Sequence, residues 1–434
     1  NTTGSYNHAF GVGAGAAITT GSRNVAIGHD AGASATTVSD NTAVGYYALQ
    51  DNTAANNTAV GSNALLQNTT GTSNTAVGAF AADANTTGVN NTALGLHAYT
   101  AGATASGNTA LGSNAMTGVV TGDNNTAVGL LALGANTTGT NNTALGANAL
   151  DANTVGGKNV ALGMDALGTN IDGSRSVAVG DSALSAQEPA SAVDMYNTAV
   201  GHGAGAAVTT GVQNTLIGGI AGDVLTTGFN NVAVGFEALS ADTLGSQNTA
   251  IGTRALKTQN FTSATNSYNT GVGYSAGTAI TTGVQNTYVG GLAGDAVVDG
   301  TNNVGIGFEA LSADHGSGET AVGTRALKVS TADNNTAVGL NALTANTTGT
   351  KNTAVGKDAG LAITTGDQNT ALGTRSLQAT TTADHNTAIG EAALYANTTG
   401  ASNTSVGSQS LAANTTGSYS TAVGQNSLTA ATTG

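Results

Sequence analysis

Asn57-Thr58-Ala59-Val60-Gly61-Ser62-Asn63-Ala64-Leu65-Leu66-Gln67-Asn68-Thr69-Thr70-Gly71-Thr72-Ser73 is followed at once by Asn74-Thr75-Ala76-Val77-Gly78, and the same refrain begins again. Gly61 and Gly78 stand seventeen residues apart. Working outward, the anchoring glycine falls at Gly45, Gly28 and Gly11 on one side. On the other it falls at Gly95, Gly112, Gly129, Gly146, Gly163 and Gly180, then resumes at Gly201 and runs to Gly424. About twenty-five copies of one short period mark a repeat array, in which a single copy cannot bury its apolar side and stacks on its neighbours instead. The expectation is one continuous array over residues 1–434, each copy forming one rung.

Alignment on the glycine gives the local structure. The residue before it is apolar, as at Val44, Val60, Val77, Leu94 and Ile251; two residues earlier stands Thr or Val, as at Thr42, Thr58 and Val160; Ala lies between them. Strand alternation then sets Thr42 and Val44 on one face and Ala43 on the other, over a strand of about four residues. A second apolar pair, Ala48-Leu49 or Ala64-Leu65, reads as a second strand, and Asn-Thr-Thr-Gly turns the chain back. Helical arrays use longer repeats, and these segments are rich in Thr, Val and Gly. The fold class is therefore all-β, a parallel β-solenoid of about 25 rungs. With rungs roughly 4.8 Å apart it would make a rod of about 120 Å.

Composition agrees. Apolar residues make up 39% of the chain, but aromatics only 4% and Trp none, so a thick core is not on offer. The 64 glycines are phased, which marks turns rather than disorder. A net charge of −14 with only 10 scattered Lys and Arg disfavours nucleic acid as a partner. Absence of Cys removes disulfides and thiolate metal sites. No apolar run approaches the roughly 18 residues needed for membrane insertion as a helix. The ends, Asn1–Gly4 and Ala431–Gly434, stay in phase and neither reads as a cap. The corresponding expectation is an array that continues, or units that stack end to end.

One polar column recurs at the start of each strand: Asn41, Asn57, Asn74 and Asn91, with Ser176, Glu319 and Ser420 as exceptions. An amide in every rung suits a structural ladder, each side chain bonding to the next rung and to turn backbone. The Val44, Val60, Val77 and Leu49, Leu65 columns complete the structural set. Chemistry is harder to find. The six histidines lie far apart, the acids are dispersed, and the Gly-x-Gly fragments open no helix. Nothing sets Ser, His and Asp as a nucleophile system. The expectation is no enzyme, no cofactor and no metal.

Asn24-Val25-Ala26-Ile27-Gly28, Ser176-Val177-Ala178-Val179-Gly180, Asn159-Val160-Ala161-Leu162-Gly163 and Asn231-Val232-Ala233-Val234-Gly235 resemble the head repeat of trimeric autotransporter adhesins. The refrain with Asn-Thr-Thr-Gly is also similar to repeat regions of bacteriophage tail fibres. The resemblance covers essentially the whole chain. It implies a left-handed parallel β-roll, a homotrimer of chains side by side, display at a cell surface or on a virion appendage, and attachment to a surface receptor or glycan. The departures are a period longer than the adhesin repeat, no coiled-coil stalk and no membrane barrel or chaperone domain. The expected function is an extracellular structural and adhesive fibre. One alternative is a filament subunit polymerising end to end.

A second alternative is an ice-binding solenoid, raised by the Thr column. Against it, Thr interchanges with Val25, Val160 and Val304 and shares a face with the Val44 column, which puts it in the interior or at a seam between chains. Two breaks in the period, 185–196 and 257–268, each add four residues and end in Tyr. Insertions in solenoids map to one face, often the binding face. Pro189, Tyr196, Phe261 and Tyr268 are thus the candidate contact residues.

Overall fold

The computed structural model describes residues 2–433; Asn1 and Gly434, at the two in-phase ends, lie outside the described residues. Among the described residues there are strands and turns and no helix. The architecture is an all-β parallel β-solenoid of about 24 turns on a repeat of about 17 residues. The chain divides into two units, Asn1–Asn214 and Thr215–Gly434. The first carries strands from His8–Phe10 to Thr198–Val200, the second from Thr215–Ile217 to Thr421–Val423.

Within each unit successive strands pair in parallel and in register. Thr58, Ala59 and Val60 face Thr75, Ala76 and Val77; Thr353, Ala354 and Val355 face Thr370, Ala371 and Leu372. The ladder bonds slant both ways from each rung: the Thr58 N–H donates to the Asn74 carbonyl at 2.9 Å, and the Gly61 N–H to the Val44 carbonyl at 2.8 Å. Like residues stay stacked even where the rung changes length, Thr42 facing Thr58 and Val177 facing Thr198, so the register is kept by the strand residues and the extra or missing residues are taken up in the turns.

Three expectations need correction. The repeat's strand has three residues rather than about four, and there is one per rung apart from the extra two-residue strands Gly245–Ser246 and Thr265–Asn266. The Ala64-Leu65 segment is a tight turn, with Asn63 at φ 60° and Leu65 at φ 51°. Both Ala64 and Leu65 are fully buried. A strand would send adjacent side chains to opposite faces; alternating left- and right-handed residues sends both inward. Finally, the interior reading of the Thr and Val columns fails. Ala59 and Ala76 point in and are fully buried, while Thr58 and Val60 point out. The rung is too thin for anything larger than Ala there as a rule, since the Leu side chain and the Asn columns occupy the remaining space.

The anchoring glycine has a definite cause. Gly61 sits at φ 141°, and a Cβ there would run into the Gly78 carbonyl oxygen of the next rung. Side chains cannot adopt that backbone, nor fit that space.

Departures from the refrain compensate one another. In most rungs where Leu, four residues past the glycine, gives way to Gly, the residue three further on is a large aliphatic: Gly205 with Val208, Gly222 with Leu225, Gly277 with Ile280, Gly294 with Val297 and Gly360 with Ile363, whereas Gly32 is followed by Ala35. All five aliphatics are buried. A Cβ on Gly360 would lie 3.1 Å from Ile363 Cδ1. In these five rungs the large apolar group therefore enters from the other side of the rung. Tyr288 is a larger version: it stands in the Ala column, fully buried, with Gly271 before it and Gly305 after it in register.

Candidate functional site

The Asn column is internal. The Asn57 N–H donates to Asn41 Oδ1 at 2.9 Å, and its Nδ2 donates to the Gly71 carbonyl at 2.8 Å. Asn74 repeats this, its N–H donating to Asn57 Oδ1 at 2.9 Å and its Nδ2 to the Gly88 carbonyl at 2.8 Å. Asn91 does the same with Asn74 and Ala105. Each amide thus pairs a buried donor and a buried acceptor that would otherwise be orphaned. Buried at 0–4% exposure, Asn41, Asn57, Asn74 and Asn91 are out of a ligand's reach.

A second polar column was not read from the sequence as a ladder. Asn52, Asn68 and Asn85 are all buried. The Asn68 Nδ2 donates to Asn52 Oδ1 at 2.6 Å and to the Gly71 carbonyl at 2.9 Å. The Asn85 Nδ2 donates to Asn68 Oδ1 at 2.8 Å. Its signal was present as an Asn seven residues past many of the anchoring glycines, as at Asn52, Asn68, Asn85 and Asn136, masked by the habit of Asn-Thr-Thr-Gly to read as a turn.

Two acids stand inside these columns. Asp242 takes an Asn place in the second, accepting from the Gly245 N–H at 2.9 Å and the Gln259 Nε2 at 2.6 Å; burial raises its pKa. Glu319 takes an Asn place in the first. Its Oε1 accepts from the Asn335 Nδ2 at 3.0 Å, while its Oε2 is buried without a hydrogen-bond partner. Burial pushes the carboxyl up to about 8. Nearby, burial holds the His315 imidazole below its ordinary value.

Outside, the surface has three parts. The first is the outer sheet face, with a Thr column beside an aliphatic one. Leu94, Leu111 and Leu145 show 39–48% of their surface, and Ile251, Ile306, Leu372 and Ile389 show 37–45%. Val60 is exposed; Val44 and Val77 are half-buried. Leu49 and Leu65 are interior.

The second part is the pair of insertions. Pro189 and Phe261 are buried, so neither can serve as a contact residue; each fills space that the longer rung opens. Tyr196 and Tyr268 are half exposed. Arg175 Nε lies 2.8 Å from Asp194 Oδ2, and its guanidinium lies over the Tyr196 ring at 5.7 Å. The second insertion adds a short parallel pairing of Gly245–Ser246 with Thr265–Asn266.

The third part is the ridge formed by the first and second residues after each glycine, where the copies differ most. There Glu237 Oε2 lies 2.9 Å from Arg254 Nε and 2.6 Å from Lys257 Nζ. Glu309 repeats the arrangement with Arg325 and Lys328 at 2.9 and 2.7 Å. The lysine and arginine hold both carboxyls below the usual range.

Among the described residues no three His, Asp or Glu side chains are grouped so as to hold a metal ion, and no helix is long and apolar enough to cross a membrane. The fold and surface together define a β-solenoid repeat protein. In comparison with known proteins, the chain matches no protein-family model and no curated protein.

Proposed function

We propose that this chain is a structural and adhesive segment of an extracellular fibre, associating with further copies of itself along the outer sheet face. The observation that carries this reading is the row of exposed aliphatics on that face, among them Leu94, Leu111 and Leu145 in one unit and Ile306, Leu372 and Ile389 in the other. An extended apolar stripe on an otherwise polar surface is characteristic of an interaction face. The thin interior supports the same reading, because the rung's own core is Ala and one large aliphatic. The likeness to trimeric adhesin heads and phage fibre repeats favours three chains, left-handed coiling, and a place on a cell surface or virion. The function is mechanical, with no catalysis.

Sedimentation of the purified chain tests it. Wild type should sediment as a defined oligomer, and Leu94→Lys with Leu111→Lys and Leu145→Lys should shift it to monomer with the β circular-dichroism signal kept. A folded wild-type monomer at micromolar concentration contradicts the reading. Open-ended filaments in electron micrographs would favour end-to-end polymerisation.

One observation favours a second reading. Thr42, Thr58, Thr75, Thr92, Thr109, Thr126 and Thr143 occupy one outward column on consecutive rungs, beside Val and Leu. Such a regular row of hydroxyls and methyls can order water, as an ice-binding surface does. Thermal hysteresis from a monomeric chain would establish this reading in place of self-association.

A further inference from the structure

We infer that the ridge over residues 29–97 is a binding site for a neutral oligosaccharide lying along the rungs. The inference rests on the adhesive reading for its purpose, and on the following geometry for its ligand.

Aromatic rings are scarce in this chain, and three aromatic side chains meet at one place on its surface. Tyr46 and Tyr47 have ring centroids 3.9 Å apart; His29, one rung earlier, lies 5.4 Å from the first and 5.6 Å from the second. Tyr46 is half exposed. His29 Nδ1 lies 3.1 Å from Asp30 Oδ2, and both side chains reach solvent. Two rungs beyond Tyr47, Phe80 stacks on His97 with centroids 5.0 Å apart and planes 15° from parallel. Between the two platforms the same two positions hold Ser62 and Asn63, a polar pair.

The fold does not require these rings. The equivalent positions carry Ser113-Asn114 and Ala147-Asn148 on an identical backbone path. The backbone fixes them nonetheless: the Tyr47 N–H donates to the His29 carbonyl at 3.0 Å, and the Phe80 N–H to the Ser62 carbonyl at 2.8 Å. The rings also pack on one another, which restricts their rotamers and lowers the entropic cost of using them as contacts.

The ligand class follows from the chemistry. The face of a pyranose carries C–H groups with partial positive charge, complementary to the negative face of an aromatic ring. Its edge carries hydroxyls, which the Asp30 carboxylate, Ser62 and Asn63 can bond. Two platforms flanking a polar rung, with Tyr47 and Phe80 two rungs or roughly 10 Å apart, suit several linked sugars rather than one. No Lys or Arg occurs between Arg23 and Lys158, so the site has no fixed cation to pair with sulfate, phosphate or a uronic acid, and the Asp30 carboxylate disfavours them.

A glycan array of neutral hexose and N-acetylhexosamine oligosaccharides, with charged glycans and unglycosylated peptides alongside, tests the site on the full chain. Neutral oligosaccharides should be retained. Tyr46→Ala and Phe80→Ala should each weaken retention about tenfold, and Tyr395→Ala, at an exposed tyrosine of the other unit, should leave it unchanged. Circular dichroism on each variant verifies the fold. Retention of no neutral glycan, retention that survives Tyr46→Ala and Phe80→Ala, or retention only of anionic glycans or peptides overturns the inference. Sedimentation separates this from the fibre reading: an oligomer that retains no glycan loses the site alone, and a glycan-binding monomer loses the fibre alone.

Discussion

At the scale of single residues, the protein is stabilised by amides in places where most folds use hydrocarbon. Each buried Asn supplies both a donor and an acceptor, and the repeat needs both. Asn74→Asp keeps the acceptor used by the Asn91 N–H and loses the donor to the Gly88 carbonyl. An unsatisfied buried group costs about 1–3 kcal/mol, so urea denaturation should show a loss of at least that size, greater at pH 8 than at pH 4. Glu319 is the chain's own version of this change. An Asn there would place a donor where its unpartnered Oε2 lies, and only the protonated acid can do so. Its pKa is raised from the ordinary 4.5 to about 8, so between those values the native state binds more protons than the unfolded chain. That contribution is fully present below pH 4.5 and is lost as pH rises through about 8. Thermal unfolding from pH 4 to 9 should therefore show a fall in Tm that is largely absent in Glu319→Gln, which keeps a donor without the charge. Equal pH profiles for the two proteins would contradict this assignment. The exception at position 319 was plain in the sequence; its consequence was not, because it depends on which atom of a ladder Asn faces which neighbour.

At the scale of one rung, much was legible and the omissions have a common cause. The period, the strand at Thr58–Val60, the glycine and the Asn57 column could all be read from spacing. The Ala64-Leu65 pair reads as a second strand because adjacent apolar residues suggest strand burial, whereas left-handed φ at Asn63 and Leu65 turns both side chains inward. The interior placement of the Val60 column fails because alternation gives two faces without saying which is inside, and the narrow interior admits the Ala59 face instead. The pairing of Gly360 with Ile363 was also available, but only by comparing two columns at once. It makes a sharp prediction. Asn346 Oδ1 is buried without a hydrogen-bond partner, one rung before Ile363. Gly360→Leu alone should destabilise, since Leu collides with Ile363. Ile363→Asn alone should leave a void. The double variant restores the Leu-with-Asn rung and gives Asn346 a donor. A double-mutant cycle should show favourable coupling of about 1–3 kcal/mol; additive effects would refute the compensation.

At the scale of the whole molecule, the architecture separates constant from variable. The inward residues repeat because stacking in register demands it, while the ridge beside the glycine varies because solvent does not. Surface contacts were harder to read for that reason: period and composition bear on architecture, whereas the aromatic clusters at 29–97 become visible only once rungs are placed side by side. Both functional proposals presuppose that equivalent residues of consecutive copies are parallel neighbours. Disulfide trapping tests this most directly. In a chain that has no native Cys, the pair Thr58→Cys with Thr75→Cys brings two Cα atoms one rung apart, about 4.8 Å, within disulfide range. The pair Thr58→Cys with Thr92→Cys spans two rungs, roughly 10 Å, beyond it. Rapid oxidation of the first pair within single chains, with the second remaining reduced, is the predicted result. Failure of the first pair to close, or equal closure of both, would contradict in-register stacking.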